Sequence, residues 1–202
     1  MNILKEIINV IAPFLKKQGF DKKGNNFYKK LHKNYGIINF QKSQDSTNDN
    51  LKFTINFGVY SDNLGQTFDF AYDESKLPDV WSCQWQARIG QFMPGSPDHW
   101  WSIKSSDSLD NINSVVISDL LNIVVPEINQ HLSDDGLAEC WLKNMYAGTT
   151  VLNRFKYLTL LLKAKGDLNA LNTVVENFMR EFHGKPNAKL ALEYLKEIEY
   201  SN

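Results

Sequence analysis

The sequence predicts an α+β protein: an N-terminal helix, an antiparallel meander sheet with a helical layer, and C-terminal antiparallel helices. Strand-like alternation clusters before residue 105, and helical periodicity fills the rest. That order argues for segregated rather than alternating elements. The links between strand candidates are short, which suits hairpins and not crossover helices. The chain has 202 residues, 43% apolar and 22% charged, enough for a real hydrophobic core. The expected division is an α+β sheet domain over 1–132 and a helical extension over 133–202 packed on it.

The first element is a helix over about 2–18. Ile3, Leu4, Ile7, Ile8, Ile11, Phe14 and Leu15 recur at helical spacing. Asn2 is the expected cap, Pro13 the expected kink and Gly19 the stop. Strand candidates follow at Asn25–His32 and Gly36–Ser43, joined by a hairpin loop at 33–36. Leu51–Tyr60 alternates without a break, Leu51, Phe53, Ile55, Phe57 and Val59 against Lys52, Thr54, Asn56 and Gly58. This pattern predicts a half-buried strand. The polar stretch 44–50 reads as an exposed loop. Thr67–Tyr72 alternates weakly before Pro78. Trp81–Ile89 alternates again, placing Trp81, Cys83, Trp85, Ala87 and Ile89 on a core face. A Pro/Gly loop at 93–97 leads to the aromatic segment His99–Lys104, where adjacent Trp100 and Trp101 must point to opposite faces, one of them partly exposed. Helices are then expected over Leu109–Leu132, with Ser108 or Asp110 as cap and Pro126 as kink, over Leu137–Tyr146, and as three antiparallel helices within 150–199. Gly166, Asp167, Gly184 and Pro186 punctuate the last three.

Composition closes several routes. Lys plus Arg is 22 and Asp plus Glu is 23, a formal charge of −1, which disfavours a general polyanion binder. The charge is uneven. Residues 1–44 hold nine lysines against Glu6 and Asp21, whereas 45–110 is strongly acidic. Cys83 and Cys140 are too few for a disulfide framework. The four histidines, 32, 99, 131 and 183, lack metal-ligand spacing. No phosphate-cradling glycine motif occurs. No cofactor and no metal are expected. The N-terminus lacks the pattern of a signal peptide, and no run of 18 apolar residues occurs. The expectation is a cytoplasmic chain without a membrane partner.

The polar positions of the strands carry the candidate site. Asn39 and Gln41, Asn56, and Gln84, Gln86 and Arg88 alternate with apolar residues on three strands. Side by side they would line one surface with amides, which both donate and accept hydrogen bonds but supply no proton at neutral pH. His99 and Trp100 sit beside the Pro/Gly loop. These eight residues are the candidate binding set, and a protein partner is the expected ligand. An alternative is an enzyme or small-ligand pocket near Cys83 and His99, with Asp98-His99 as a base. A second is nucleic-acid binding through Lys16, Lys17, Lys22, Lys23, Lys29, Lys30 and Lys33 with interleaved aromatics. The absence of Arg from that region disfavours it.

Three stretches carry a resemblance: Gly19-Phe20-Asp21-Lys22-Lys23-Gly24-Asn25-Asn26-Phe27-Tyr28-Lys29, Ile37-Ile38-Asn39-Phe40-Gln41-Lys42-Ser43, and Arg88-Ile89-Gly90 running on to Asp98-His99-Trp100-Trp101-Ser102-Ile103. Over roughly residues 1–130 the chain resembles a bacterial family known only as a domain of unknown function. The resemblance implies the same α+β class and a bacterial cytoplasmic setting, and brings no catalytic residues. Families of this kind include partner-binding proteins such as immunity proteins, an analogy that bears on the expectation of a protein partner.

Overall fold

The structure, a computed structural model, describes residues 3–47, 49–69, 71–95, 97–104 and 107–200. Helix α1 (Ile3–Lys17) buries the predicted stripe Leu4, Ile7, Ile8, Ile11 and Leu15 and holds Pro13 inside it. The expected cap Asn2 lies outside the described residues. Gly19, at φ 86°, ends the helix, and Phe20 N–H reaches back to Leu15 O at 3.0 Å.

The strands are β1 (Asp21–Lys23), β2 (Asn26–Leu31), β3 (Asn34–Lys42), β4 (Asn50–Tyr60), β5 (Trp85–Arg88) and β6 (Trp101–Lys104). Their order is β1-β2-β3-β4-β5, with every pairing antiparallel. β6 joins the same edge of β4 as β5: β5 pairs with 56–59 and β6 with 50–53. The β2–β3 hairpin is tighter than expected. Leu31 pairs with Asn34, so the turn is His32-Lys33, with His32 at φ 54°, and 34–36 belong to the strand.

One face of the sheet is the main core. Phe27, Ile38, Phe40, Phe53, Ile55, Phe57, Trp85 and Trp101 meet α1 and the long helix that follows β6. That helix comprises α3 (Leu109–Asp119), a π-turn at Leu120–Val124 and α4 (Val125–His131). Ser108 is the cap, and the kink expected at Pro126 is realised as the π-turn just before it. By length and composition alone, Leu109–His131 is apolar enough to cross a membrane, a test that the core helix of a soluble protein also passes. Its stripe of Val116, Leu120, Val124, Val125 and Ile128 is buried in the main core. Contact is closest at Gly36 on β3, where a Cβ would overlap the Ile128 side chain.

Two expectations fail on the opposite face. The described residues of 61–69 and 71–84 form a strap on part of it. The strap opens with α2 (Asp62–Phe68), capped by Ser61. Thr67 and Phe68 therefore belong to a helical turn and not to a strand, and Phe70 lies outside the described residues. Alternation over Trp81–Ile89 also breaks early. The Asp79 carboxylate accepts Trp81 N–H at 2.8 Å and Ser82 N–H at 2.9 Å, folding Val80–Ser82 into a 3-10 turn. This turn carries Trp81 into solvent, 58% exposed, where alternation put it in the core. Cys83 then lands on Gly58, where a Cβ would sit 2.8 Å from Cys83 Cβ. The strap builds a second small cluster of Ile37, Tyr60, Val80 and Cys83. β4, expected to be half-buried, is buried on both faces along nearly all its length: the strap covers Gly58 and Tyr60, and Arg88, Gln41 and the His99 carbonyl close over Asn56 and Thr54.

The C-terminal helices are α5 (Asp134–Leu142), α6 (Val151–Lys165), α7 (Leu168–Glu181) and α8 (Pro186–Glu197). Ser133, Thr150 and Asp167 cap the first three. α5 ends four residues earlier than expected. Its buried residues Leu137 and Trp141, with Leu158, Leu171, Phe178 and Tyr194, belong to the same apolar cluster as the sheet.

Candidate functional site

Register fixes which polar side chains meet. Asn26 pairs with Asn39, Asn39 with Asn56, and Asn56 with Arg88, so one row crosses four strands. Gln41 opposite Thr54 forms the next row, and Lys52 and Ser102 the one beyond. The strap covers another part of this face, leaving these rows as a tray.

Asn56 is the hub, only 4% exposed. Arg88 Nε donates to Asn56 Oδ1 at 3.3 Å. Asn56 Nδ2 donates to Gln41 Oε1 at 2.8 Å and, more weakly, to Asn39 Oδ1 at 3.5 Å. Asn39 Nδ2 donates to Asn26 Oδ1 at 2.6 Å. A guanidinium has only donors, so Arg88 fixes the direction of every amide in the relay. Arg88 Nη1 also donates to Asp98 Oδ1 at 2.6 Å, and Trp100 Nε1 to Asp98 Oδ2 at 3.0 Å. These bonds, Trp100 first and Arg88 second, hold the Asp98 carboxyl below the usual carboxylate range. The Trp100 ring carries two cations, Arg88 at 5.1 Å and Lys52 at 5.4 Å from its centroid.

Beside Arg88 the tray opens into a cleft of about 510 Å³ lined by Asn56, Trp81, Gln86, Arg88, Asp98 and Tyr146, among others. The outer edge of β5 is closed there by the loop after α5. Gln86 N–H donates to Gly148 O at 3.1 Å. Tyr146 OH donates to Gln91 Oε1 at 2.9 Å and lies 3.3 Å from Gln86 O. Trp85 and Trp141 hold the same loop through their indole N–H groups, on Tyr146 O at 3.0 Å and Ala147 O at 2.8 Å.

Of the eight candidates, Asn39, Gln41, Asn56, Arg88 and Trp100 come together, and Gln86 lines the cleft wall. Gln84 does not join them. It is buried, and its Oε1 accepts Ser61 N–H at 2.8 Å, a bond that anchors the start of α2. His99 turns away as well. Its ring meets Trp101 edge-on at 4.5 Å, on the side of α3, and its carbonyl accepts the Thr54 hydroxyl at 2.8 Å. Trp100 faces the tray while Trp101 is buried, the split expected of adjacent indoles. The other contributors are Asn26, Lys52, Asp98, Trp81 and Tyr146. Alternation with Thr54 and Asn56 marks Lys52 in the sequence. Tyr146 has no such signal, because it arrives through tertiary packing.

Cys83 and His99 lie on opposite faces of the sheet, Cys83 in the strap cluster and the His99 ring against Trp101 of the main core. Cys83 is buried in the strap cluster, and burial raises its thiol well above the ordinary range. Both cysteines are free. Among the described residues no group of His, Cys, Asp and Glu is placed to hold a metal. Four of the seven N-terminal lysines have separate partners: Lys16 pairs with Asp21, Lys22 with Asn9, Lys29 with Asn129 on α4, and Lys33 with Glu74.

The profile of the family described as Domain of unknown function (DUF4304) matches residues 11–130. No curated protein and no solved structure matches the chain.

Proposed function

The chain belongs to the DUF4304 family, and on that premise we propose that it is a non-enzymatic protein-binding module. Its contact surface is the tray of Asn39, Gln41, Arg88 and Trp100, with the adjoining cleft rimmed by Trp81. One observation carries the reading: a relay of oriented amides, its hub Asn56 buried and its arms Asn39 and Gln41 half-exposed, lies beside two indoles. Half-exposed Trp and Arg are the residue types that anchor protein contacts. The relay fixes those anchors in place, which lowers the ordering cost of binding. The tray supplies hydrogen bonds, and its hydroxyls are spent on neutral acceptors, Thr54 on His99 O and Ser102 on Asn50 Oδ1. Of the carboxylates at the tray, Asp98 is consumed by Arg88 and Trp100, and Asp45 lies 3.8 Å from Lys52.

The test is site-specific photo-crosslinking in the native cell. A photoreactive side chain at Gln41 or Trp81 should capture a discrete protein partner, while one at Leu190, exposed on α8, should not. Capture from Leu190 alone, or from neither tray position, would overturn the reading.

A further inference from the structure

We infer that the tray takes an acidic stretch of polypeptide, a partner segment carrying Asp or Glu carboxylates. This rests on the protein-binding reading and names the chemistry of the partner. Because Arg88 orients Asn56, the Oδ1 or Oε1 oxygens of Asn56, Gln41, Asn39 and Asn26 are all turned into the relay as acceptors. What remains for a ligand is donors. The Gln41 NH2 group has no protein partner among the described residues, and Asn39 keeps a second N–H. Both oxygens of Asp98 are occupied. Lys52 adds an ammonium whose nearest carboxylate, Asp45, is 3.8 Å away and 80% exposed. Lys104 occupies the same face one register step past Ser102. A surface of outward donors and cations, with its own acceptors spent, complements carboxylates and main-chain carbonyls. Trp81 and Trp100 give such a segment apolar walls at each side.

The count of charges separates this ligand from nucleic acid. Arg88 is already neutralised by Asp98, which leaves Lys52, loosely paired with Asp45 at 3.8 Å, and Lys104 as the further cations on the tray. Salt-sensitive nucleic-acid binding rises with the number of phosphates neutralised, and two is too few for useful affinity.

Hexaglutamate, hexaglutamine and a six-residue thymidine oligonucleotide, titrated separately into the 15N-labelled full chain, provide the test. Hexaglutamate should shift the Trp100 indole N–H and the Gln41 side-chain amide. Lys52→Glu should weaken the response at least tenfold, and 0.5 M salt should suppress it. Gln41→Ala should weaken it as well, with changes in the variant's own spectrum confined to the relay residues Asn39, Asn56 and Arg88 that Gln41 Oε1 helps to hold. Equal shifts with hexaglutamine, equal shifts with the oligonucleotide, or no shift at several millimolar hexaglutamate would each overturn the inference. The crosslinking result separates the two claims. A partner captured at Gln41 through a neutral or basic segment sinks the acidic assignment and leaves the protein-binding reading standing. Absence of any tray capture removes both.

Discussion

At the residue scale, Asn56 and Gly36 set the sharpest tests. Asn56 is a buried hub, and its removal orphans Arg88 Nε and Gln41 Oε1 together. Asn56→Ala should cost ~1–3 kcal/mol in urea unfolding, the range for unsatisfied buried polar groups. Trp81→Ala, at an exposed indole, should stay within about 0.5 kcal/mol of the parent. Gly36 lies where a Cβ would overlap Ile128, so Gly36→Ala should cost ~1–3 kcal/mol through overpacking. The double variant Gly36→Ala/Ile128→Ala should be less destabilised than the sum of its two single variants, and strict additivity would contradict the contact. His131 gives a pH prediction. It is buried against the Trp85 ring at 4.4 Å, and desolvation lowers its pKa from the ordinary 6.5. The unfolded chain therefore takes up a proton near pH 6.5 that the folded chain refuses, so stability falls as pH drops below 6.5. The slope from this one proton is at most about 1.4 kcal/mol per pH unit. Glu127 has the opposite sign. Burial raises it above the ordinary 4.5, so the folded state takes up its proton first and the loss flattens in more acid solution. His131→Gln should remove the loss between pH 6.5 and 5.5; an unchanged slope in that window would refute the assignment.

At the element scale, the sequence reveals the sheet better than the strap. Leu51–Tyr60 is legible because ten residues repeat one simple period. The tray was half legible for the same reason. Side-chain parity put Asn39, Gln41, Asn56 and Arg88 on polar faces, and only the register had to bring them together. Where parity misled, a local cap had overridden it. Asp79 converts the start of Trp81–Ile89 into a helical turn, and Ser61 starts α2 in a stretch whose Phe68 and Tyr72 mimic alternation. Gln84 finds its partner in backbone far along the chain, Ser61 N–H, and His99 turns its ring onto Trp101, and no local pattern signals either. The β5 edge is a third such case, closed by Gly148 at φ 60°. A Cβ on Gly148 would meet Gln86 N at 2.7 Å and the Trp85 ring at 2.9 Å. Gly148→Val should therefore push the loop off β5. The readout is hydrogen exchange at the Gln86 amide, which should lose protection while the Phe57 amide on β4 keeps its own. Unchanged protection at Gln86 would mean that the loop does not seal that edge.

At the scale of the whole molecule, the family match ends near residue 130 while the apolar core does not. Trp85 on the sheet stacks on His131 and meets Tyr146 of the following loop edge-on at 6.0 Å. Trp141 of α5 packs on Tyr157 of α6, and Phe155 of α6 on Phe178 of α7 at 4.1 Å. α2, part of the strap, also leans on the C-terminal helices, through Phe68 against Tyr157 at 5.1 Å. The cleft draws on both parts, because Tyr146 shares it with Arg88. Sheet and C-terminal helices should then unfold together, since neither can open without exposing apolar surface that the other covers. Chemical denaturation of the full chain tests this with two reporters: Trp141 as the sole tryptophan in a variant with the others replaced by Phe, and far-UV dichroism for the helices and sheet combined. Both curves should share one midpoint and report a single transition. A lower midpoint for Trp141 would mean that the helices melt first and that the cleft loses Tyr146 before the relay around Asn56 gives way.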